Sequence, residues 1–258
     1  NKENFNKMKA VIIAAGRGIR MGALTDEKPK CLLELNGITL LQNLINRFNS
    51  FGINDIAIVT GYCGNKIKFP DLTVFNNKEY EDNNILHSLM HAREFIDDDT
   101  IISYSDIWLE DEPLCHLINN PSDLVLSVDK DWMGYYQGRT EHTIEQAENV
   151  FFDDNFVTKK IGKHLNPDLC SENESCGEFI GLFKIRANFV DKFKSIFNEL
   201  EQRLDTNDPF QQSKSWQKAY LTDFFSEVIE NGFEINCSTH EQGWAEIDTA
   251  QDFEYQVA

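Results

Sequence analysis

Residues 10–30, AVIIAAGRGIRMGALTDEKPK, constrain the fold more than any other part of this chain. They open on a short apolar, β-rich run that stops at a glycine, the pattern of a buried strand. A Gly-rich turn follows, then Arg20, then a Lys-Pro-Lys that ends at Lys30. Gly16 and Gly18 let the backbone approach a ligand closely, with its amides free to donate to a phosphate. A guanidinium can clamp phosphate oxygens through two bonds. Taken singly, a GxG turn only ends a strand, and an Arg or Lys is a solvated surface charge. Together they gather backbone amides, a guanidinium and an ammonium at one strand end, and a nucleoside triphosphate suits that point best.

Strands and helices alternate after this turn. CLLELNG reads as a short strand and turn, and LLQNLINRFNSFG as a helix that stops at Gly52. NDIAIVTGY, LTVFNN and TIISYSDIWL read as strands, with NILHSLMHAREFI a helix before the last. This alternation predicts a parallel sheet with helices on both faces. Ligands of such sheets sit beyond the carboxyl ends of the strands, where both the Gly-rich turn and Asp106 fall. Past residue 120 the texture changes. DLVLSVDK and GEFIGLFKI read as strands and residues 143–164 as shorter antiparallel pieces. FVDKFKSIFNELEQRL and AYLTDFFSEVIENG read as amphipathic helices, and the C-terminal segment as a strand and a short helix. The polar stretch 164–177 is expected to be a mobile loop. The expected fold is a doubly wound, Rossmann-like α/β mixed sheet with an inserted substrate-facing section, forming one domain over residues 8–258. Residues 1–7, ahead of Met8, are expected to be an N-terminal extension or a linker from a longer chain.

Charge narrows the partners. With 43 acidic and 24 basic residues the net charge is -19, which argues against nucleic acid and anionic membranes as partners. No signal peptide and no apolar run near twenty residues is present, so a cytoplasmic location is expected. The six cysteines form no CxxC pair and read as reduced thiols, although Cys170 and Cys176 are close enough in sequence to bridge.

The turn lacks the GxxxxGK[ST] of a P-loop and the third glycine of a dinucleotide fingerprint. AAGRGIRMGALTDEKPKCL instead resembles, over its whole length, the AAGxGxRMxxLTxxxPKxL signature of the nucleotidyltransferase superfamily. That superfamily includes sugar-1-phosphate nucleotidylyltransferases and small cytidylyltransferases. The resemblance implies that Ala14, Ala15, Gly16 and Gly18 bind the nucleotide. It further implies that Arg20 holds the β- and γ-phosphates and that Lys30 stabilises charge at the α-phosphate. Asp106, in IISYSDIWL, matches the position where the superfamily keeps an Asp on Mg²⁺. Glu246 and Asp248, in WAEIDTAQDF, match its closing E-I-D-x-x-x-D segment, which offers the second metal carboxylate. NKEYEDNNILHSL, residues 77–89, is similar to a segment of cytidylyltransferases acting on phosphocholine, which implies that Asn83, Asn84 and Ser88 lie near the base and ribose of CTP. An Asn at position 83 or 84 is equally a helix N-cap. His87 and His91 lie on one helix face, but HSLMH lacks the Glu of a zinc-binding HExxH.

Residues 129–150, KKIGK and CGEFIGLFKI resemble cytidylyltransferases of phosphonate and phosphocholine-like head groups. Lys163 could then meet the attacking phosphate or phosphonate. Trp132, Tyr135, Tyr136, Trp216 and Trp244 could wall in an amine or trimethylammonium, and Asp131 and Glu178 could add charge. The implied reaction is Mg²⁺-dependent transfer of CMP from CTP to a small phosphorylated or phosphonylated head group, of phosphocholine or 2-aminoethylphosphonate type. Two alternatives stand beside it: a sugar-1-phosphate nucleotidylyltransferase using UTP or dTTP, and a catalytically silent regulatory module. Fusion to or association with a pathway enzyme such as a phosphoenolpyruvate mutase, and homo-oligomerisation, are further expectations from the resemblance.

Overall fold

A computed structural model describes residues 8–257, so the expected extension at residues 1–7 lies outside the described residues. The chain runs β1 (Lys9–Ala14), β2 (Glu34–Leu35), β3 (Ile38–Thr39), α1 (Leu40–Ser50), β4 (Asp55–Thr60), β5 (Thr73–Asn76) and α2 (Ile85–Met90). It continues through β6 (Thr100–Tyr104), β7 (Ile107–Leu109), α3 (Asp111–Asn119), β8 (Leu124–Asp129), β9 (Glu148–Asp153), β10 (Thr158–Lys163) and β11 (Glu174–Ile185). It closes with α4 (Ala187–Arg203), α5 (Leu221–Glu230), β12 (Asn236–His240), β13 (Trp244–Glu246) and α6 (Ala250–Val257).

The main sheet runs in the order β10-β9-β11-β6-β1-β4-β5, and β8 joins β11 to β12. The β6-β1-β4-β5 part is parallel, whereas β11 is antiparallel to β6, β8 and β9. This is the mixed α/β sheet expected. Strand β1 explains the layering: Val11 and Ile13 pack into the core under α2, α4 and α5, while Ala10, Ile12 and Ala14 pack under α1 and α3. A strand covered on both faces has no use for polar alternation, so it reads as an unbroken apolar run.

Three departures from the expected elements matter for the site. TIISYSDIWL is two strands. Its first half, β6, pairs with β1, and its second half, β7, leaves the sheet to pair with β13. The break falls at Ser105–Asp106, which frees Asp106 from the ladder at a carboxyl end. The helix expected over residues 84–96 stops at Met90. Beyond it the amides of Ala92, Arg93 and Phe95 bond three residues back, so the chain tightens into turns. The polar stretch 164–177 gives way to β11 at Glu174, and all six cysteines are free thiols. Among the described residues no helix is long and apolar enough to cross a membrane.

Strand β11 bends at Gly181, whose φ of 76° belongs to the left-handed region. Its register against β8 shifts between Phe179 and Phe183. A Cβ at Gly181 would lie 2.3 Å from the Tyr104 ring, so no larger residue fits without moving that ring. The bend brings the N-terminal half of β11 against β9 and carries Glu178 to the mouth of the sheet.

Candidate active site

Gly18 ends the turn after β1 in a left-handed conformation, φ 66°, and a Cβ there would press on the Lys30 side chain at 3.3 Å. The close packing lets Lys30 run back under the turn. Its ammonium is buried between two carboxylates, 2.6 Å from Asp106 Oδ2 and 2.8 Å from Asp248 Oδ1. Burial alone would lower the Lys30 pKa. The charges of Asp106 and Asp248 outweigh it, so the net shift is upward and Lys30 stays an ammonium. Arg20 takes the other oxygen of Asp248 and also donates to Gln146 Oε1. Burial works against the Asp248 charge, but Lys30 and Arg20 pull its pKa down to about 2. Asp106 Oδ1, by contrast, is buried without a hydrogen-bond partner. Four residues from three distant parts of the sequence thus converge on one point at the carboxyl ends of β1 and β6.

Two cavities open from this point. The larger, about 690 Å³, is lined by Ala14, Ala15, Gly16, Arg17, Gly18, Asn83, Asn84 and Ser88, with Lys30 and Asp106 at its floor. The smaller, about 320 Å³, is lined by Glu148, Lys163, Glu178, Phe179, Tyr220, Trp244 and Glu246. Arg20, Asn84, Ile85, Tyr104, Asp106 and Asp248 line both. Asn77, at 0 % exposure and not itself lining the larger cavity, donates to two residues that do, Asn83 Oδ1 at 2.8 Å and Ser88 Oγ at 2.9 Å. Asn84 caps α2 through the amide of Ile85 at 2.9 Å and donates to the Lys218 carbonyl at 3.0 Å. The capping reading of Asn84 therefore holds, on a residue that also faces the cavity.

The aromatic wall expected from the sequence does not assemble. Trp132 is wholly buried against Tyr136 and Ala147, and Trp216 packs on His87, Phe197 and Phe210, so neither faces the cavity. Tyr135 and Tyr136 stand behind the wall. The Tyr136 hydroxyl donates to Glu178 Oε1, and the Tyr135 hydroxyl accepts from the Glu246 amide at 2.8 Å. Trp244 does line the cavity, stacked on Tyr135 at 5.5 Å with its Nε1 donating to Asp129. Large rings near a site are as often its scaffold as its surface, and sequence does not separate the two. Asp131 faces a different cleft, where it accepts from Gln242.

A relay only partly visible in the sequence closes the site. Asp252 accepts from the amides of Asp248 and Thr249 at 3.0 and 2.8 Å and from His142 Nδ1 at 3.1 Å, and it pairs with Arg139. His142 Nε2 in turn lies 3.5 Å from Glu246 Oε2. Burial, then the charge of Asp248, pushes the Glu246 carboxyl up to about 8. His142, Glu246 and Asp248 present ligand atoms within 4.8 Å of one another. His142 and Arg139 sit in an irregular segment with no periodicity. Asp252 is the last acid of the E-I-D-x-x-x-D pattern, which was the available signal for it.

Residues 10–136 match the MobA-like NTP transferase domain. The CTP:phosphoglutamine cytidylyltransferase of Campylobacter jejuni is 29% identical over 97% of this chain and 99% of its own length. The 2-aminoethylphosphonate cytidylyltransferase of Lancefieldella rimae is 32% identical, over 42% of this chain and 47% of its own. In fold, the solved CTP:phosphocholine cytidylyltransferase of Streptococcus pneumoniae superposes with a TM-score of 0.70 at 20% identity, covering 96% of each chain. The motif of residues 14–32 and the sheet it sits on thus point the same way, to a nucleotidyltransferase fold that carries a MobA-like NTP transferase domain over residues 10–136.

Proposed function

We propose that this enzyme transfers CMP from CTP to a small phosphorylated or phosphonylated head group of the phosphocholine, 2-aminoethylphosphonate or phosphoglutamine kind, with release of pyrophosphate. One observation carries the reading: a nucleotide-sized cavity and a smaller polar cavity share a wall made of Arg20, Asp106 and Asp248. The full-length similarity to a cytidylyltransferase supports the choice of nucleotide and acceptor class.

An oxygen of the acceptor's phosphate or phosphonate attacks the α-phosphorus of CTP. The bond from that phosphorus to the β-phosphate oxygen breaks, and pyrophosphate leaves with the electron pair. The nucleophile is already an anion, so no general base is needed, and catalysis is positioning and charge neutralisation. The amides of residues 16–18 and Arg20 would cradle the β- and γ-phosphates. Lys30 would turn from its two carboxylates toward the α-phosphate, where negative charge grows. The donor set fits Mg²⁺, a hard ion that takes oxygen ligands: Asp106 and Asp248 flank one point, and Asp106 Oδ1 is buried without a partner. When bound by this pair, Mg²⁺ would neutralise phosphate charge and help align the acceptor oxygen with the α-phosphorus.

The test is pyrophosphate release with Mg²⁺, crossing CTP, UTP, ATP, GTP and dTTP with phosphocholine, 2-aminoethylphosphonate, phosphoglutamine and several sugar 1-phosphates. Turnover with CTP and a small head group is expected. Turnover only with a sugar 1-phosphate and UTP or dTTP would transfer the chain to the sugar nucleotidylyltransferases. CTP binding without turnover of any acceptor would favour a regulatory module.

A further inference from the structure

Asn77, the residue after β5, lies wholly buried behind the larger cavity, and four hydrogen bonds meet at its side chain. Its backbone amide donates to the Thr60 carbonyl at 2.8 Å, which ties it to the carboxyl end of β4. One backbone group decides which way its side-chain amide is turned. The Glu79 N–H can only donate, and it meets Asn77 Oδ1 at 2.9 Å. The nitrogen end therefore faces the other way, and its two protons go to Asn83 Oδ1 and Ser88 Oγ. Asn83 Nδ2 donates back to Asn77 Oδ1 at 3.2 Å, so the two amides are locked as a pair. The consequence for Ser88 is larger. A hydroxyl carries one proton and two lone pairs and turns to suit its partner. Asn77 has already taken a lone pair of Ser88, and the Ser88 proton meets no acceptor among the described residues. Ser88 lines the cavity at 5 % exposure, so that proton is what it offers an occupant. An occupant that donated to Ser88 instead would leave the proton buried and unmet, which is costly.

We infer that Asn77 is a positioning residue for nucleotide selectivity: it holds Ser88 as a donor toward ring position 3 of the base, and so favours cytosine over uracil. This role rests on the cytidylyltransferase reading and deepens it. The two bases differ at that position, where N3 is an acceptor in cytosine and an N–H donor in uracil. A hydroxyl free to turn would serve either. A hydroxyl held by Asn77 donates to cytosine N3 and sets its proton against the N–H of uracil. Selectivity of this kind comes from the penalty on the wrong ligand as much as from the contact with the right one. Asn77 itself does not line the cavity, so its effect passes through Ser88.

The experiment measures Kd for CTP and for UTP by isothermal titration calorimetry, with Mg²⁺ and without acceptor, so that the acceptor's identity does not enter. The native protein is expected to bind CTP about tenfold or more tighter than UTP, the scale of one hydrogen bond replaced by two facing donors. In Asn77→Asp the carboxylate can still accept from the Glu79 amide and from Asn83 Nδ2, and it takes the Ser88 proton as well. Ser88 is then left with lone pairs for the base, and the preference for CTP is expected to fall about tenfold or more. Ser88→Ala is expected to lose most of the preference too. Adding Asn77→Asp to Ser88→Ala should leave the ratio where Ser88→Ala put it, because the two residues act as one unit. Equal weakening of both nucleotides in Asn77→Asp, with the native ratio kept, would overturn the inference by making Asn77 merely structural. The native ratio kept in Ser88→Ala would also overturn it, and that variant decides the matter even if Asn77→Asp does not fold. In both cases a native preference for CTP leaves the cytidylyltransferase reading standing. UTP bound as tightly as CTP by the native protein would overturn the choice of nucleotide, and this inference with it.

Discussion

Lys30 keeps its charge where burial opposes it, because Asp106 and Asp248 stand on either side of its ammonium. Removing it leaves two carboxylates facing each other with only Arg20 to answer one of them. Breaking a buried pair in this way costs about 3–5 kcal/mol. Lys30→Met should therefore lower the thermal midpoint in chelator by roughly 10 °C, on the scale of about 2–4 °C per kcal/mol for a chain of this size. Mg²⁺ should then raise the midpoint of the variant more than that of the native protein, since both carboxylates are released to the ion. Equal shifts, read by differential scanning calorimetry, would place the ion elsewhere. Asp106→Asn should lower turnover at least about a hundredfold, because the ion that neutralises charge in the transition state loses one of its two carboxylates. Near-native turnover would remove Asp106 from the metal pair. At this scale the sequence was most legible where residue type and spacing are tied to backbone geometry. Gly18 needs its positive φ and sits on Lys30, and both belong to one unbroken motif. His142 was not legible, because a lone histidine in an irregular segment has no spacing to betray it, and its meaning comes only from Asp252 and Glu246 far along the chain.

Strand β11 shows what an element adds that its residues do not announce. GEFIGLFKI reads as one regular strand, yet it bends at Gly181 and serves β6 with one half and β9 with the other. Both cavities depend on that bend, because Tyr104 packs against Gly181 and lines both. Gly181→Ala combines a left-handed φ with a clash on the ring, so a loss of about 2–4 kcal/mol is expected from strain and overpacking together. Denaturant unfolding measures that loss, and the acceptor KM should rise along with it. A variant as stable as the native protein would mean that β11 relaxes into a straight register. The split of TIISYSDIWL into β6 and β7 follows the same logic. The apolar residues on both sides of Asp106 favour a strand locally, and only the pairing of β7 with β13 shows that the chain must turn there. Long-range pairing decides such breaks, and local propensity is silent about it.

Taken whole, the ligand-free molecule holds several acids close to neutral within a chain of net charge -19. Burial raises Glu148 to about 7 and, with Asp248, Glu246 to about 8; burial also sets Glu178 well above the usual carboxylate range. These groups hold protons in the fold that the unfolded chain gives up above about 4.5, so their contribution to stability is complete below that pH and is lost as pH climbs toward 8. His142 adds the same sign. Burial opposes its charge, but Asp252 and Glu246 raise its pKa on balance, so its contribution is lost as pH rises above 6.5. Asp248, depressed to about 2, contributes above 3.8 and is constant across this window. Repulsion among the remaining acids grows with pH and acts in the same direction. The thermal midpoint of the ligand-free protein should therefore fall by several degrees between pH 5.5 and pH 8, on the scale of about 1.4 kcal/mol per shifted unit. Glu178→Gln should flatten that slope, because an amide in the same pocket has no proton to lose. A midpoint that rises with pH, or an unchanged slope in Glu178→Gln, would show that the cavity acids are met by partners in solution and are ionised before any substrate arrives.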